Sequence, residues 1–145
     1  MRRMRLIREV MKRREPVTAR PDETVQAAAE RMAAEACGTV LVLEGGELRG
    51  IFTERDLLTR VVAPSLDPRA TTLETVMTPD PDTIESTETA REAVRRMDAF
   101  GYRHLAVVEE GRLVGVISHR DLPIETLARM QPELDDRHAL AERLW

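Results

Sequence analysis

Cysteine occurs once, at Cys37, which excludes an internal disulfide framework and any multi-cysteine metal site. Aromatic side chains make up only 3% of the chain, too few for the stacking platform of a single-strand nucleic-acid binder. No apolar run approaches the roughly 20 residues of a membrane span. The basic start, "MRRMRLIREVMKRR", lacks the apolar core and small-residue cleavage site of a signal peptide. A cytoplasmic protein without a membrane partner is expected. Net positive charge is also missing: the balance is −4, so the chain as a whole is not built for a polyanion. There is no P-loop and no nucleophile–base set at recognisable spacing. The histidines His104, His119 and His138 do not form a metal-ligand set. An enzyme is not expected, and neither a metal nor a required cofactor is. What is present is globular: 42% hydrophobic and 33% charged residues over 145 positions, enough for one domain or two very small ones.

The chain repeats itself. Shifted by 65 positions, Pro16, Thr18, Glu23, Thr24, Arg31, Met32, Gly50, Arg55 and Asp56 meet Pro81, Thr83, Glu88, Thr89, Arg96, Met97, Gly115, Arg120 and Asp121, with no gap between 16 and 56. Just upstream, "EVMKR" at 9–13 echoes "TVMTP" at 75–79, one residue out of step. Each copy reads as a short extended piece (17–19; 83–84), an amphipathic helix, two strands around a turn and a short closing helix. In the first helix Val25, Ala28, Ala29, Met32 and Ala33 form an apolar stripe, and in the second Ala90, Ala93, Val94, Met97 and Phe100 do. "TVLVL" and "HLAVV" suit buried strands, and the turns "EGGE" and "EEGR" make hairpins with the strands that follow. Cys37 is expected in the core. The fold class is therefore α+β, two β-α-β-β-α repeats sharing a core. Repeat 1 is expected over 16–62, a Pro-rich linker over 63–75 and repeat 2 over 76–128. A basic N-terminal helix (1–15) and a C-terminal helical tail (129–145) flank them.

"GIFTERD" at 50–56 and "GVISHRD" at 115–121 are the same device. A hydroxyl residue, Thr53 or Ser118, stands where a strand gives way to a helix, where backbone N–H groups and the helix dipole favour phosphate. One turn on, Asp56 or Asp121 places a carboxylate suited to both hydroxyls of a ribose. Gly50 and Gly115 would let a base or backbone approach closely. The same Thr-x-x-Asp spacing also fits an N-terminal capping box, in which the two side chains satisfy local backbone groups. Both readings are open at this level.

From about residue 9 to 128 the chain resembles a tandem pair of CBS domains, the cystathionine-β-synthase-type module. The resemblance is carried by "VMKRREPVTARPDETVQAAAERM", "GIFTERDLL", "EVMTPDPDTIESTETAREAVRRM" and "GYRHLAVVEEGRLVGVISHRDL". It implies two units packed with pseudo-twofold symmetry. It also implies facing clefts for an adenosine-containing ligand such as AMP, ADP, ATP, NAD or S-adenosylmethionine, and commonly a homodimer. It assigns phosphate contact to Thr53 and Ser118, ribose contact to Asp56 and Asp121, and the base pocket to Thr18, Ala19, Thr83 and Ile84. Where the first repeat has Gly38 and Thr39 the second has Arg103 and His104, which with His119 are candidate phosphate contacts and would make the two sites unequal. Pro123 falls early in the last helix and should kink or delay it.

The first fourteen residues carry seven Arg/Lys against one Glu, with Met4, Ile7, Val10 and Met11 helically spaced. They fit a nucleic-acid arm or an amphipathic helix packed on the protein; the second is the reading adopted, and a nucleic-acid partner is not expected. The leading function is a regulatory module that senses adenine nucleotides and signals through an unknown effector protein. The alternatives are a ligand-independent dimerisation scaffold and a nucleic-acid-binding regulator.

Overall fold

A computed structural model of the chain describes residues 4–11, 15–123 and 126–127. The elements run α1 (Ile7–Val10), β1 (Thr18–Ala19), α2 (Val25–Glu35), β2 (Thr39–Glu44), β3 (Glu47–Thr53) and α3 (Glu54–Asp56), which continues as a π-helical stretch over Leu57–Val62. Then come α4 (Leu73–Val76), β4 (Thr78–Pro79), β5 (Thr83–Glu85), α5 (Ala90–Phe100), β6 (His104–Glu109), β7 (Arg112–Ser118) and a 3₁₀ turn at His119–Asp121. This is the α+β class with the repeated β-α-β-β order. Among the described residues no helix is long and apolar enough to cross a membrane. The C-terminal tail, with His138, lies outside the described residues, as do residues 1–3 and 12–14 of the basic start.

Local sequence explains the two long helices. Thr24 and Thr89 sit at the N-caps with extended backbone, and their hydroxyl oxygens accept from Ala27 N and Glu92 N, each at 3.1 Å. The helices end on left-handed residues, Ala36 (φ 49°) and Gly101 (φ 74°). Val25, Ala28 and Met32 bury one face, and Ala90, Ala93, Val94 and Met97 the other. Three members of the expected stripes are not core, of which Ala29 is half-buried. Ala33 is exposed, and Phe100 is 66% exposed and stacks on Tyr102 with ring centroids 5.7 Å apart. Ala33 and Phe100 each lie about 80° round the helix from the residue that starts the stripe, past the edge of the covered face. Cys37 also departs from expectation: it is half-buried, its thiol directed at the Thr39 carbonyl at 3.5 Å, because it sits in the turn after α2 rather than on the stripe.

One sheet has the order β1-β2-β3-β4, with β1 parallel to β2 and the other pairs antiparallel. The other has the order β5-β6-β7, parallel then antiparallel. The register repeats: Thr18 pairs with Leu41 and Thr39 with Thr53, while Thr83 pairs with Ala106 and His104 with Ser118. Both hairpins turn through two residues of positive φ, Gly45–Gly46 in one and Glu110–Gly111 in the other.

The division into compact units does not coincide with the repeat. Residues 15–82 form one unit, and the described residues before position 15 join those from 83 onward in the other. The out-of-step echo between 9–13 and 75–79 marks the reason. In the 15–82 unit, Leu73 N donates to Glu23 O and Val25 N to Thr71 O, both at 2.9 Å, and Leu73 and Val76 enter the core with Val25, Val40, Val42 and Phe52. In the other unit, Ile7 N donates to Glu88 O and Ala90 N to Arg5 O, both at 2.8 Å, and Ile7 is fully buried with Ile84, Val94, Leu105 and Ile117. Each helix lead-in is therefore met by a segment from the other side of the repeat boundary. Met4, from the expected amphipathic spacing, is exposed, while Val10 and Met11 pack on the core.

The closing helices differ between repeats. After Asp56 the chain continues through bonds of the i→i−5 kind, Ala63 N to Leu58 O and Leu66 N to Val61 O, both 2.9 Å. After Asp121 it does not continue: Leu122 is extended (φ −75°, ψ 139°), as the residue before Pro123 must avoid the helical region.

Candidate functional site

The strand end at Thr53 is built by its neighbours. Thr53 is extended (φ −116°, ψ 166°), and the next amide, Glu54 N, donates to Gly38 O at 2.9 Å, tying β3 to the start of β2. Asp56 N donates to Thr53 Oγ1 at 3.2 Å, and Thr53 N donates to Asp56 Oδ2 at 3.0 Å. The reciprocal capping box is thus formed. The amides that the sequence offered to a phosphate are in part engaged: Glu54 N by a carbonyl, Asp56 N by the Thr53 hydroxyl. No acceptor among the described residues takes the hydrogen of that hydroxyl. Asp56 Oδ1 lies 3.7 Å from Arg60 Nε, and Arg60 Nη1 donates to Val76 O at 2.9 Å.

Ser118 repeats the arrangement with one change. Ser118 N donates to Asp121 Oδ2 at 2.8 Å, and His119 N donates to Arg103 O at 2.9 Å. Here the hydroxyl donates to the carboxylate, Ser118 Oγ to Asp121 Oδ2 at 3.1 Å. Both contacts of Asp121 converge on one oxygen. The counterpart of Arg60, Glu125, lies outside the described residues.

The expected residues converge within each unit. Thr18 faces Leu41, and Thr39, two residues back along β2, faces Thr53. Thr83 faces Ala106, and His104, two residues back along β6, faces Ser118. Two residues of strand are about 6–7 Å, so the short parallel strand and the hydroxyl–carboxylate pair share one corner of each sheet. The strands alternate: Thr18 and Thr83 are exposed, while Ala19 and Ile84 are buried in the two cores. Only the backbone of the latter pair, not the side chain, can serve a ligand. Arg103 and His119 are exposed and His104 is half-buried, all at the same corner as Ser118.

The two glycines have another occupant. A Cβ on Gly50 would stand 2.8 Å from Met77 Cγ, closer still to its sulfur, and 3.0 Å from Thr78 O. A Cβ on Gly115 would stand 2.5 Å from Met11 Cε. The space given up by these glycines is taken by a methionine of the lead-in segment and, at Gly50, by the Thr78 backbone carbonyl, so of the two expected close approaches it is the backbone that is seen there.

Sequence reasoning listed Arg31 and Arg96 as repeated residues and gave them no role. Arg31 Nη1 donates to Thr18 O at 2.9 Å and to Glu23 Oε2 at 3.1 Å, while its Nη2 pairs with Glu23 Oε1. Arg96 Nη1 donates to Thr83 O at 3.0 Å, and its Nε to Glu92 Oε1 at 3.1 Å. The hydrogen bond from Arg31 holds the Glu23 carboxyl below the usual carboxylate range, and the same bond raises the Arg31 guanidinium. Their repetition at the same offset was the available signal.

The CBS domain profile matches residues 7–63 and again 73–122. The CBS domain-containing protein CBSCBSPB2 of Arabidopsis thaliana is 34% identical over 134 residues, 89% of this chain and 25% of the relative. The chain thus spans about a quarter of the length of that curated relative. A solved protein with CBS domains from Burkholderia ambifaria is 32% identical, with a TM-score of 0.75 over 80% of this chain and 87% of that one. A CBS domain protein of Pyrobaculum aerophilum, solved in complex with AMP, is 28% identical, with a TM-score of 0.77 over 88% of this chain and 98% of that one. The doubled corner, the repeated register and both profile matches agree: the chain belongs to the CBS domain family and carries two copies of the domain in tandem.

Proposed function

We propose that this CBS pair is a regulatory module that takes up adenosine-containing nucleotides at the Thr53–Asp56 and Ser118–Asp121 corners and passes the signal, as a homodimer, to an effector protein. The observation that carries the reading is the recurrence of one half-buried hydroxyl–carboxylate pair, at the same strand end and beside the same short parallel strand, in both units. In each pair Asp Oδ2 secures the strand end, and Oδ1, which at Asp56 also faces Arg60, is the acceptor for ribose hydroxyls. Thr18, Ala19, Thr83 and Ile84 supply strand backbone to the base. Arg103, His104 and His119 favour a more highly phosphorylated ligand at the second corner. The AMP-bound relative from Pyrobaculum aerophilum supports the ligand class.

The formed capping box supports a second reading, a scaffold in which the carboxylates only hold the chain. Asparagine separates the two, since it keeps an acceptor for the strand-end amide and loses the charge and the second carboxylate oxygen. Thermal unfolding would be followed with AMP, ADP, ATP, NAD, S-adenosylmethionine and GTP on wild type and on Asp56→Asn with Asp121→Asn. A ligand at a hundred times its dissociation constant adds about 2.7 kcal/mol. Stabilisation by adenine ligands that disappears in the double variant is the expected result. No shift with any of them in the wild type would leave the scaffold.

A further inference from the structure

β1 and β5 are edge strands, two and three residues long, that carry half of each corner. In the first unit Val17 O faces β2, accepting from Leu41 N at 2.9 Å. The next carbonyl, Thr18 O, therefore points to the open side of the strand. A strand this short has few ladder bonds to fix it, and an outward carbonyl is where it can drift or be recaptured by another chain. In both units that carbonyl is taken by an arginine thirteen residues on, from the amphipathic helix: Arg31 on Thr18 O and Arg96 on Thr83 O.

We infer that Arg31 and Arg96 are positioning residues that pin the free edge of the short strand and so set where the corner meets its ligand. The inference rests on the reading of the corner proposed above. The two latches are not alike. Glu23, whose Oε2 also accepts from Arg20 N at 2.6 Å, lies in the turn between β1 and α2. Its two oxygens clamp Arg31, so strand, turn and helix are locked together. Arg96 takes its carboxylate from Glu92, one turn away on its own helix, so this ion pair adds nothing to the turn. The first latch thus joins strand, turn and helix, and the second joins strand and helix alone.

The test combines backbone amide exchange with AMP titration calorimetry on the full chain, for wild type, Arg31→Ala, Arg31→Lys and Arg96→Ala. In Arg31→Ala, exchange should rise about tenfold at the amides of Ala19, Arg20 and Leu41, the last of which reports the β1 pairing, while the β6–β7 hairpin stays unchanged. AMP affinity at the first corner should fall by a similar factor, the scale of one charge-assisted hydrogen bond. Arg31→Lys, which keeps one donor, should recover part of both. Arg96→Ala should loosen 83–85 and leave 18–20 alone. Equal exchange in wild type and Arg31→Ala, or acceleration by one factor throughout the chain, overturns the inference. So does equal AMP affinity where the wild type binds. If the wild type takes up no AMP, the nucleotide reading falls and the latch is judged on exchange alone, local acceleration upholding it and its absence overturning it.

Discussion

Replacing Gly50 with alanine should destabilise the 15–82 unit by about 1–3 kcal/mol, the range for overpacking a filled site. Glycine normally gives way to alanine in a strand at a profit, because alanine loses less entropy on folding. Here the new methyl would overlap the sulfur of Met77 and stand 2.8 Å from its Cγ and 3.0 Å from Thr78 O. Met77 packs on the Phe52 core, and Thr78 pairs with Ile51, next to the Gly50–Pro79 pair, so relief requires moving either the core or a ladder strand. Gly115 is the internal control. Its methyl would meet only the terminal Met11 Cε at 2.5 Å, the far end of a flexible side chain. Gly115→Ala should cost less than about 1 kcal/mol. Urea unfolding of both variants, and of Gly50→Ala in a Met77→Ala background, decides the matter. The methionine substitution removes the obstruction, so the glycine penalty should shrink by at least half in that background. Equal penalties at 50 and 115, or a Gly50 penalty untouched by removing Met77, would refute the packing account.

Other consequences can be checked with single substitutions. Glu110 turns the β6–β7 hairpin at φ 50° where the first repeat has glycine, so Glu110→Asn should raise stability by about 0.5–1 kcal/mol in chemical denaturation. Ala36 closes α2 at φ 49° where α5 uses Gly101, and Ala36→Gly should gain about as much, again by denaturant midpoint. Glu23 has a lowered pKa, chiefly through its bond from Arg31, so the folded state binds its proton later than the unfolded chain. Its contribution is complete above the unfolded value of about 4.3 and is lost as pH falls through the lower folded value. The stability difference between wild type and Glu23→Gln should therefore close on acidification in that window and stay flat near neutrality. Asp56→Ala, which strands the Thr53 amide, should cost about 1 kcal/mol, whereas Asp56→Asn should cost little, measured in the absence of ligand.

Much of this architecture could be read from the residues, because repetition amplifies weak local signals. Two apolar stripes and two hairpins in the same order are hard to misread, and the structure has both hairpins and buries most of each stripe. The strand-end pairs Thr53–Asp56 and Ser118–Asp121 were legible as devices, while their hydrogen-bond directions were not, because a hydroxyl can donate or accept and only its neighbours decide. Phe100 and Ala33 were misjudged because a stripe says nothing about how far the covering sheet reaches. Gly50 and Gly115 were seen as sites of close approach, but what approaches is set by a segment 27 residues downstream in one case (Met77) and far upstream in the other (Met11). Arg31 escaped notice because an exposed arginine on a helix normally faces water; its carbonyl partner becomes visible only once β1 is known to be an edge.

The crosswise lead-ins bear on how the chain is made. Residues 15–82 are contiguous, so everything their core needs, including Leu73 and Val76, leaves the ribosome in one stretch. That unit can complete itself during synthesis, domain by domain as growing chains do. The other cannot: Ile7 is made well before its neighbours Val94, Leu105 and Ile117, which come roughly a hundred residues later. The opening helix must wait, unburied, until the last hairpin emerges. A tag or partner fused ahead of residue 4 would therefore act beside a contact between segments made far apart in time, whereas a fusion reaching only as far as residue 82 would carry the contiguous unit.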